Sequence, residues 1–239
     1  MSQARGATSM RRLVGLFNTS LSSATDPTAA AVNSSKLIAD PRKFKNLADR
    51  FKKSSESSKF RNYSKKAYSI TVQRLALAKQ FSLIDDILQH QKKYQEISQE
   101  GFVIRLMMLY GKAGMFEHAH KLLDEMPELN CQRTVDSLNA LLSAYLHSDK
   151  FDIVGKLLEE LPEKIRIDPD LISYNTVIKA YCEMGSMDSA VSVLDTLEKK
   201  GLEPDIVTFN TLLDGFFSRG RIADGEGIWE FRASDEVVW

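Results

Sequence analysis

The chain has 239 residues, of which 43% are hydrophobic and 27% are charged, and a chain of this length can bury the core of one or two domains. This composition excludes a disordered, collagen-like or disulfide-rich protein. The mean hydropathy is -0.25, and no apolar run approaches the roughly 18 residues that a membrane-spanning helix requires. Membrane insertion is therefore not expected. The two cysteines, Cys131 and Cys182, lack metal-ligand spacing, so we expect buried free thiols in a reducing compartment.

The formal net charge of zero conceals two oppositely charged parts of the chain. Residues 1–66 contain 14 Lys/Arg and 4 Asp/Glu, a net charge of +10, and the remaining residues contain 18 Lys/Arg and 28 Asp/Glu, a net charge of −10. Such an asymmetry indicates a targeting or interaction arm in front of a folded body.

The first 25 residues contain no acid, three arginines and eight serines or threonines. Apolar residues recur there at helical spacing and would form a stripe opposite Arg11 and Arg12. This pattern is typical of an organelle transit peptide, which we assign to residues 1–35. The amphipathic, arginine-containing form favours import into the mitochondrial matrix, with the chloroplast as the less favoured alternative.

Residues 36–66 form a basic segment with eleven Lys/Arg and three acids. A helix is predicted to begin at Pro41, to present Phe44 and Phe51 on one face, and to break at 54–58. Two interpretations remain open: the helix docks on the first repeat of the array described next, or it is an arm that contacts nucleic-acid phosphates. The candidate phosphate contacts are Lys43, Lys45, Arg50, Lys52 and Lys53.

The following part of the chain repeats with a period of about 35 residues. Ser-Tyr-Asn-Thr-Val-Ile at 173–178 returns as Thr-Phe-Asn-Thr-Leu-Leu at 208–213, and Gly185 returns as Gly220. We divide this array, residues 67–230, into a degenerate unit at 67–99, units at 100–134, 135–170 and 171–205, and a partial unit at 206–230. An irregular tail is expected at 231–239.

Each unit is predicted to contain two helices. In residues 171–205, Tyr174, Val177, Ile178 and Tyr181 form one face of a first helix that ends near Gly185. A second helix is expected to start around Met187, to bury Ala190, Val191, Leu194 and Leu197, and to end before Gly201. Because two such helices cannot form a core alone, the units must stack. The expected fold is all-α, a right-handed α-solenoid of helix-turn-helix repeats.

The content of the units resembles one repeat family. Asn at the fifth position, Gly at the fifteenth, Ala at the twentieth and a terminal Pro-Asp are similar to the pentatricopeptide repeat family, in its simple 35-residue plant organelle type. The resemblance covers about residues 100–230. It implies a non-enzymatic protein that binds single-stranded RNA, each repeat presenting one nucleotide to its fifth and last residues while the second residue stacks on the base.

Carried over to residues 171–205, the resemblance assigns base reading to Asn175 and Asp205 and base stacking to Ile172 and Val207, with a preference for uridine. The preceding unit offers Asn139 and Asp170 as a second uridine pair, but Asp136 takes its stacking position.

Other units match the reading pattern less well. The final unit offers Asn210, whose partner would fall at position 240. The unit at 100–134 offers Ile104 and Thr134, with Gly101 at the stacking position, and no amide. An alternative explanation for each asparagine is that it caps the start of a helix.

Two functions follow. Two base-reading Asn–Asp pairs at about 1–3 kcal/mol each provide only weak binding. The repeat array is also net negative, and a negative charge repels RNA phosphates. The leading hypothesis is an RNA-binding adaptor in mitochondrial RNA metabolism. The alternative is a structural component of the mitochondrial ribosome or another ribonucleoprotein, which contacts ribosomal proteins and ribosomal RNA.

Enzymatic chemistry finds no support in the sequence. His118 and His120 are two residues apart on a predicted helix, so their side chains point about 200° apart and cannot coordinate the same metal ion. We expect no catalytic residue, metal, cofactor or small-molecule substrate.

Overall fold

The computed structural model describes residues 41–227 of the chain. The predicted transit peptide at 1–35 and the predicted tail at 231–239 lie outside these residues. The chain divides into two compact units, residues 1–43 and 44–239.

Eleven α-helices are bounded within the described residues, which contain no strand. They are α1 (Pro41–Ser54), α2 (Ser58–Tyr63), α3 (Lys65–Leu77), α4 (Phe81–Gln89), α5 (Glu100–Lys112), α6 (Phe116–Glu125), α7 (Val135–His147), α8 (Phe151–Ile165), α9 (Leu171–Met184), α10 (Met187–Lys199) and α11 (Ile206–Ser218). Two short 3-10 helices, His90–Lys93 and Gln95–Ser98, follow α4, and residues 222–227 are also helical. The prediction of an all-α fold is confirmed.

The helices alternate between two roles. The first helices of the repeats, α3, α5, α7, α9 and α11, pack against one another in sequence, and the second helices α6, α8 and α10 each contact the first helix before and after them. Each helix pair therefore completes its core only with its neighbour, which is the packing of an α-solenoid.

The bounds of α9 and α10 agree with the expected helix ends. α9 ends at Met184 with Gly185 in the left-handed conformation at φ 78°, and α10 starts at Met187. On α9 the predicted face is buried at Tyr174, Val177 and Ile178. The backbone at the fifteenth position must turn here, and glycine adopts positive φ at little cost.

The predicted face of α10 is partly wrong. Ala190 and Leu197 are buried, and so are Met187 and Val193, whereas Val191 and Leu194 are only half-buried. The reason is that α10 packs against α9 on one side and α11 on the other. A helix between two neighbours buries a wider arc than the single stripe that its sequence suggests.

The basic segment contains a helix that docks on the array. In α1, Phe44 and Phe51 are buried, and the Phe51 ring lies 4.7 Å from the ring of Tyr68 in α3 and 5.6 Å from that of Phe60 in α2, both edge to face. Lys52 forms an ion pair with Asp86 of α4. Phe51 and Lys52 thus pack against the first repeat, at the end of the array that a solenoid must cover.

No helix within the described range is long and apolar enough to cross a membrane.

Candidate nucleic-acid interface

The first helices begin at regularly spaced N-cap residues. These are Ser64, Gln99, Thr134, Asp170 and Asp205. Their spacing of 35 or 36 residues defines one register for all five repeats. In this register, the N-cap residue occupies the last position of the repeat before it.

Two asparagine–aspartate pairs lie at the junctions between neighbouring first helices. Asn139 Nδ2 is 3.0 Å from Asp170 Oδ1, and Asn175 Nδ2 is 3.4 Å from Asp205 Oδ1. Each asparagine lies in the second turn of one first helix, and each aspartate directly precedes the next first helix. The structure therefore brings together residues that the resemblance pairs across about 30 positions of sequence.

The aspartates, not the asparagines, cap the helices. Asp205 Oδ1 accepts the backbone N–H of Thr208 at 2.8 Å, and the Asp205 backbone N–H donates to Thr208 Oγ1 at 3.2 Å, which completes a capping box. Asp170 and Ser173 form the same arrangement at α9. The alternative explanation that Asn139 and Asn175 cap helix starts is wrong, because both lie inside helices.

A hydroxyl group of the next helix orients each asparagine amide. Thr208 Oγ1 lies 2.7 Å from Asn175 Oδ1, and Ser173 Oγ lies 2.6 Å from Asn139 Oδ1. Because the hydroxyl donates to Oδ1, the amide nitrogen is directed toward the aspartate. One N–H of Asn175 remains without a hydrogen-bond partner within residues 41–227.

Asp205 is held in its ionised form. Burial raises the pKa of the Asp205 carboxyl, but hydrogen bonds from the backbone N–H groups of Thr208 and Val207 and from the Asn175 amide outweigh that effect and lower the pKa below its ordinary value. The N-terminal end of the α11 dipole also favours a negative charge there. Asp205 is exposed, so its carboxylate is accessible to a ligand.

Exposed aliphatic side chains flank the second pair. Ile172 is 59% exposed and Val207 is 53% exposed, although both are apolar and lie beside polar groups. An aromatic ring held between them would cover this apolar surface. The first pair is less open, because Asn139 is only 7% exposed and the exposed residue at its stacking position is the acidic Asp136.

Two of the weaker candidates take no part in such a pair. Asn210 is exposed on α11. Thr134 is bound by protein, since its backbone N–H and hydroxyl both donate to Glu100 Oε1, at 2.8 Å and 2.9 Å. The polar groups of Thr134 are therefore already bound by Glu100 and are not free to bond to a base.

Sequence reasoning missed one pair of reading positions. α3 begins at Lys65, two residues before the expected start of the degenerate unit at 67–99. In the register of the N-caps, Ser69 takes the fifth position of this first repeat and Gln99 takes its last position. Counting back 35 residues from Thr134 and from Ile104 would have identified them.

The basic candidates lie apart from the two pairs. Lys52 is engaged with Asp86, whereas Lys43, Lys45, Arg50 and Lys53 are exposed. They belong to α1, which packs on the first repeat through Phe51. The Asn–Asp pairs lie at the junctions of the third with the fourth and the fourth with the fifth repeat.

The histidines and cysteines have structural surroundings. The His118 ring stacks on Tyr110 at 5.3 Å, and His120 Nδ1 lies 2.8 Å from Tyr145 Oη. Both cysteines are free and buried, as predicted, and burial raises the pKa of the Cys182 thiol to about 11. Within residues 41–227, no group of three or more His, Cys, Asp or Glu side chains could hold a metal ion.

Stacked helix pairs with a repeated polar junction define a helical-repeat protein of the α-solenoid class. Residues 169–218 match the PPR repeat family, and residues 105–131 and 207–230 match the PPR repeat. The chain belongs to the pentatricopeptide repeat family.

Relatives in Arabidopsis thaliana agree with this assignment. A pentatricopeptide repeat-containing protein is 57% identical over 63% of this chain and 27% of its own length. The small ribosomal subunit protein mS78 (rPPR3a) is 49% identical over 77% of this chain and 45% of its own length. The chain thus spans less than half the length of these two relatives. Two other relatives are named as mitochondrial proteins.

Among solved structures, the pentatricopeptide repeat protein PPR10 from maize has a TM-score of 0.54 at 20% identity, over 80% of this chain and 26% of that protein. The likeness supports the solenoid fold.

Proposed function

We propose that this chain is a non-enzymatic RNA-binding repeat protein of mitochondrial RNA metabolism, with Asn175 and Asp205 as its principal base-reading pair. The observation that carries the proposal is the junction at Asp205. It combines the Asn175 amide, the exposed carboxylate of Asp205 and two exposed aliphatic side chains. Single-stranded RNA is recognised by such groups, which stack on a base and bond to its edge.

The polar groups of this junction complement uridine. Uracil presents an N–H donor between two carbonyl acceptors, so it can donate to Asp205 and accept from the Asn175 amide. Cytosine and adenine carry an unprotonated ring nitrogen at the equivalent place, which a carboxylate would repel. The Asn139–Asp170 pair repeats the chemistry but is weakened by burial and by Asp136.

Localisation to the mitochondrial matrix is part of the proposal. The acid-free, arginine-containing residues 1–25 support it, as do the relatives named as mitochondrial. We assign residues 1–35 to import and residues 36–66 to a basic segment before the array.

The first experiment replaces Asn175 by Ala and measures binding of U-rich and A-rich RNA at low salt. We expect the U-over-A affinity ratio to fall by about 5- to 150-fold, which corresponds to about 1–3 kcal/mol of discrimination. Stability should fall by about 1 kcal/mol, because the amide also bonds to the next helix. Asn46→Ala, at an exposed position of α1, is the control. A stability loss with an unchanged U-over-A ratio would make the junction a purely structural contact.

A second candidate function is that of a structural component of the mitochondrial ribosome. The relationship to mS78 and to mS79 (rPPR3b), both named as small ribosomal subunit proteins, favours it. Two reading pairs also provide only about 2–6 kcal/mol, around millimolar binding at mid-range, which suits a protein anchored by additional contacts. Sedimentation of the tagged protein from mitochondrial lysate separates the two functions. A ribosome component migrates with the small subunit, whereas an adaptor shifts to light fractions after mild ribonuclease treatment.

A further inference from the structure

The first two repeats carry an open groove of about 600 Å³ along α5 and beside α3. We call it the α5 groove. Its lining combines apolar side chains of α5 with cations from both helices, among them Ile104, Met108, Leu109, Lys65, Arg105 and Lys112. No acidic residue of the described chain lines it. The α5 groove is therefore both apolar and positively charged.

The corresponding face of the fourth repeat has a different character. The fifth, ninth and thirteenth positions of a repeat are four residues apart and share one face of its first helix. On α9 these positions are Asn175, Lys179 and Glu183, and on α5 they are Ile104, Met108 and Lys112. Lys179 forms ion pairs with Glu183 and with Asp214 of α11. The fourth repeat thus neutralises its own charge, whereas the second presents apolar side chains beside a cation.

The three cations of the α5 groove have no charged partner in the protein. Lys65, Arg105 and Lys112 form no ion pair within residues 41–227. The Arg105 guanidinium carbon lies 4.8 Å from the ring centre of Tyr68 and 4.6 Å from that of Phe102, and its Nε atom is buried without a hydrogen-bond partner in the described chain. A partly buried charge without a partner is costly, so a bound carboxylate would stabilise this side chain.

Exposed apolar side chains continue this surface on α3, which packs against α5. Leu77 is 77% exposed and Ile70 is 37% exposed. They occupy the thirteenth and sixth positions of the first repeat, as Lys112 and Arg105 do in the second, and they share one face of α3 because they are seven residues apart. Single exposed apolar residues are common on protein surfaces, but several at helical spacing on two packed helices indicate an interaction surface.

A nucleotide base would find few partners in the α5 groove. The stacking positions of the first two repeats are Lys66 and Gly101, so no aliphatic pair encloses a base there. The fifth position of the second repeat is Ile104, whose side chain has no hydrogen-bonding group. Its last position is Thr134, whose hydroxyl is already bound within the protein. The α5 groove therefore suits apolar and acidic side chains better than a base.

We propose that the α5 groove docks an acidic amphipathic helix of a partner protein. The apolar face of that helix lies on Ile104 and Met108, and its acidic side chains pair with Lys65, Arg105 and Lys112. Helix-in-groove recognition uses apolar anchors at helical spacing, and complementary charges fix the register and accelerate encounter. The inference goes beyond the proposed function, because it assigns protein binding to the first two repeats and does not involve the reading pairs.

Fluorescence anisotropy with a labelled model peptide tests the proposal on the full chain. The peptide has about 18 residues, which is long enough to form a helix, with Leu at helical spacing on one face and Glu on both flanks of that face. The control peptides have the same composition with scrambled Leu spacing, or Lys in place of Glu. We expect the Leu/Glu peptide to bind about 10-fold more tightly than either control peptide.

Charge reversal locates the bound peptide. Lys65→Glu/Lys112→Glu reverses two exposed charges of the groove, and we expect it to weaken binding of the Leu/Glu peptide about 30-fold at low salt and less at high salt. Lys156→Glu/Lys199→Glu makes the same change in net charge at exposed positions of α8 and α10, outside the groove. This control should stay within about 2-fold of the wild type.

A second variant removes apolar surface without changing charge. Met108→Gln should weaken peptide binding about 5-fold, because less apolar surface is buried on binding, and should leave the salt dependence unchanged. Met184→Gln, at an exposed position of α9, is its control. Unchanged peptide affinity in both Met108→Gln and Lys65→Glu/Lys112→Glu would overturn the proposal.

Other outcomes also contradict it. Absence of peptide binding at about 100 µM, equal binding of the scrambled peptide, or equal losses in the two double variants would each refute a specific docking site. If Lys65→Glu/Lys112→Glu abolishes binding of U-rich RNA but keeps peptide binding, the groove is a nucleic-acid surface. If wild-type dimers in sedimentation dissociate in this variant, the groove instead holds a second copy of the chain.

The groove and the reading pair fail separately. Asn175→Ala should leave the affinity for the Leu/Glu peptide unchanged, because Asn175 lies in the fourth repeat. Peptide binding without any uridine preference overturns only the base reading. A uridine preference that depends on Asn175, without peptide binding, overturns only the docking site.

Discussion

The orientation of one amide decides what the Asn175 junction presents to a base. An asparagine amide can rotate by half a turn and exchange its donor for its acceptor. The Thr208 hydroxyl, 2.7 Å from Asn175 Oδ1, selects the orientation in which the amide nitrogen faces Asp205. In the proposed base reading, Thr208 is therefore a positioning residue that needs no contact with RNA.

Replacing Thr208 by Val removes this hydroxyl and keeps the shape of the side chain. We expect the U-over-C affinity ratio to fall toward one, with a stability loss of about 1–2 kcal/mol because the capping box is broken. Thr208→Ser should restore the ratio. Parallel titrations with U-rich and C-rich RNA measure it.

Thr211→Val provides the matched control. Thr211 lies one turn further along α11, and its hydroxyl donates to the Val207 carbonyl, at 2.7 Å. A U-over-C ratio that is the same in Thr208→Val and in the wild type would remove Thr208 from base selection.

At the scale of the helices, every repeat turns at the same position. The fifteenth residue has positive φ in all five repeats, with values of 54° at Lys79, 73° at Gly114, 56° at Asp149, 78° at Gly185 and 71° at Gly220. This conformation costs a residue with a Cβ atom about 1–2 kcal/mol more than glycine. The geometry of the turn is thus retained even where the glycine is not.

Lys79→Gly is expected to stabilise the protein by about 1 kcal/mol, because the strain at φ 54° is removed. Gly114→Ala should have the opposite effect of about 1 kcal/mol, since open space surrounds Gly114 and only its φ opposes the substitution. Urea unfolding measures both as shifts of the midpoint at constant slope. Destabilisation by Lys79→Gly would show that the lysine makes a contact that outweighs its strain.

At the scale of the whole molecule, one buried ion pair ties the basic segment to the array. Arg61 Nη2 lies 2.8 Å from Glu96 Oε1, and Ser58 Oγ donates to the same oxygen at 2.8 Å. Arg61 also donates to the carbonyls of Ser55 and Glu56, at 2.6 Å and 2.9 Å. These contacts join α2 to the 3-10 helix that precedes α5.

The pair predicts a loss of stability in acid. The hydrogen bond from Arg61 is the main reason that the pKa of Glu96 lies below its ordinary value of 4.5. A carboxyl with a lowered pKa stabilises the folded state above its unfolded-state pKa, and that contribution is lost as the pH falls through the folded-state value. We therefore expect stability to decline below about pH 4.5. Glu96→Gln should cost about 3 kcal/mol at neutral pH, because it leaves the Arg61 charge buried.

Melting curves at several pH values test this expectation. Glu163→Gln is the control, since Glu163 is exposed on α8 and forms no ion pair within the described residues. An acid profile that is identical in Glu96→Gln and in the wild type would show that other carboxylates control the decline.

The sequence by itself determined the repeat architecture. Helical periodicity and a 35-residue period are local properties, so the faces of α9, the end of that helix at Gly185 and the stacking of helix pairs follow from residues close together in the chain. The choice of Asn175 and Asp205 as partners followed from the repeat register and from the family resemblance.

Only the tertiary structure decided which groups remain free for a ligand. Asp205 is at once the N-cap of α11 and the partner of Asn175, and Thr208 orients the amide from the next repeat. Lys52 forms an ion pair with Asp86, which lies 34 residues away in the sequence. Lys52 is therefore a weaker candidate for a phosphate contact. The Arg105 guanidinium carbon lies 4.8 Å and 4.6 Å from the ring centres of Tyr68 and Phe102, and Arg105 forms no ion pair within residues 41–227. Each of these outcomes depends on contacts between side chains from different helices. Their hydrogen-bond geometry and the removal of water from them arise only when the helices pack.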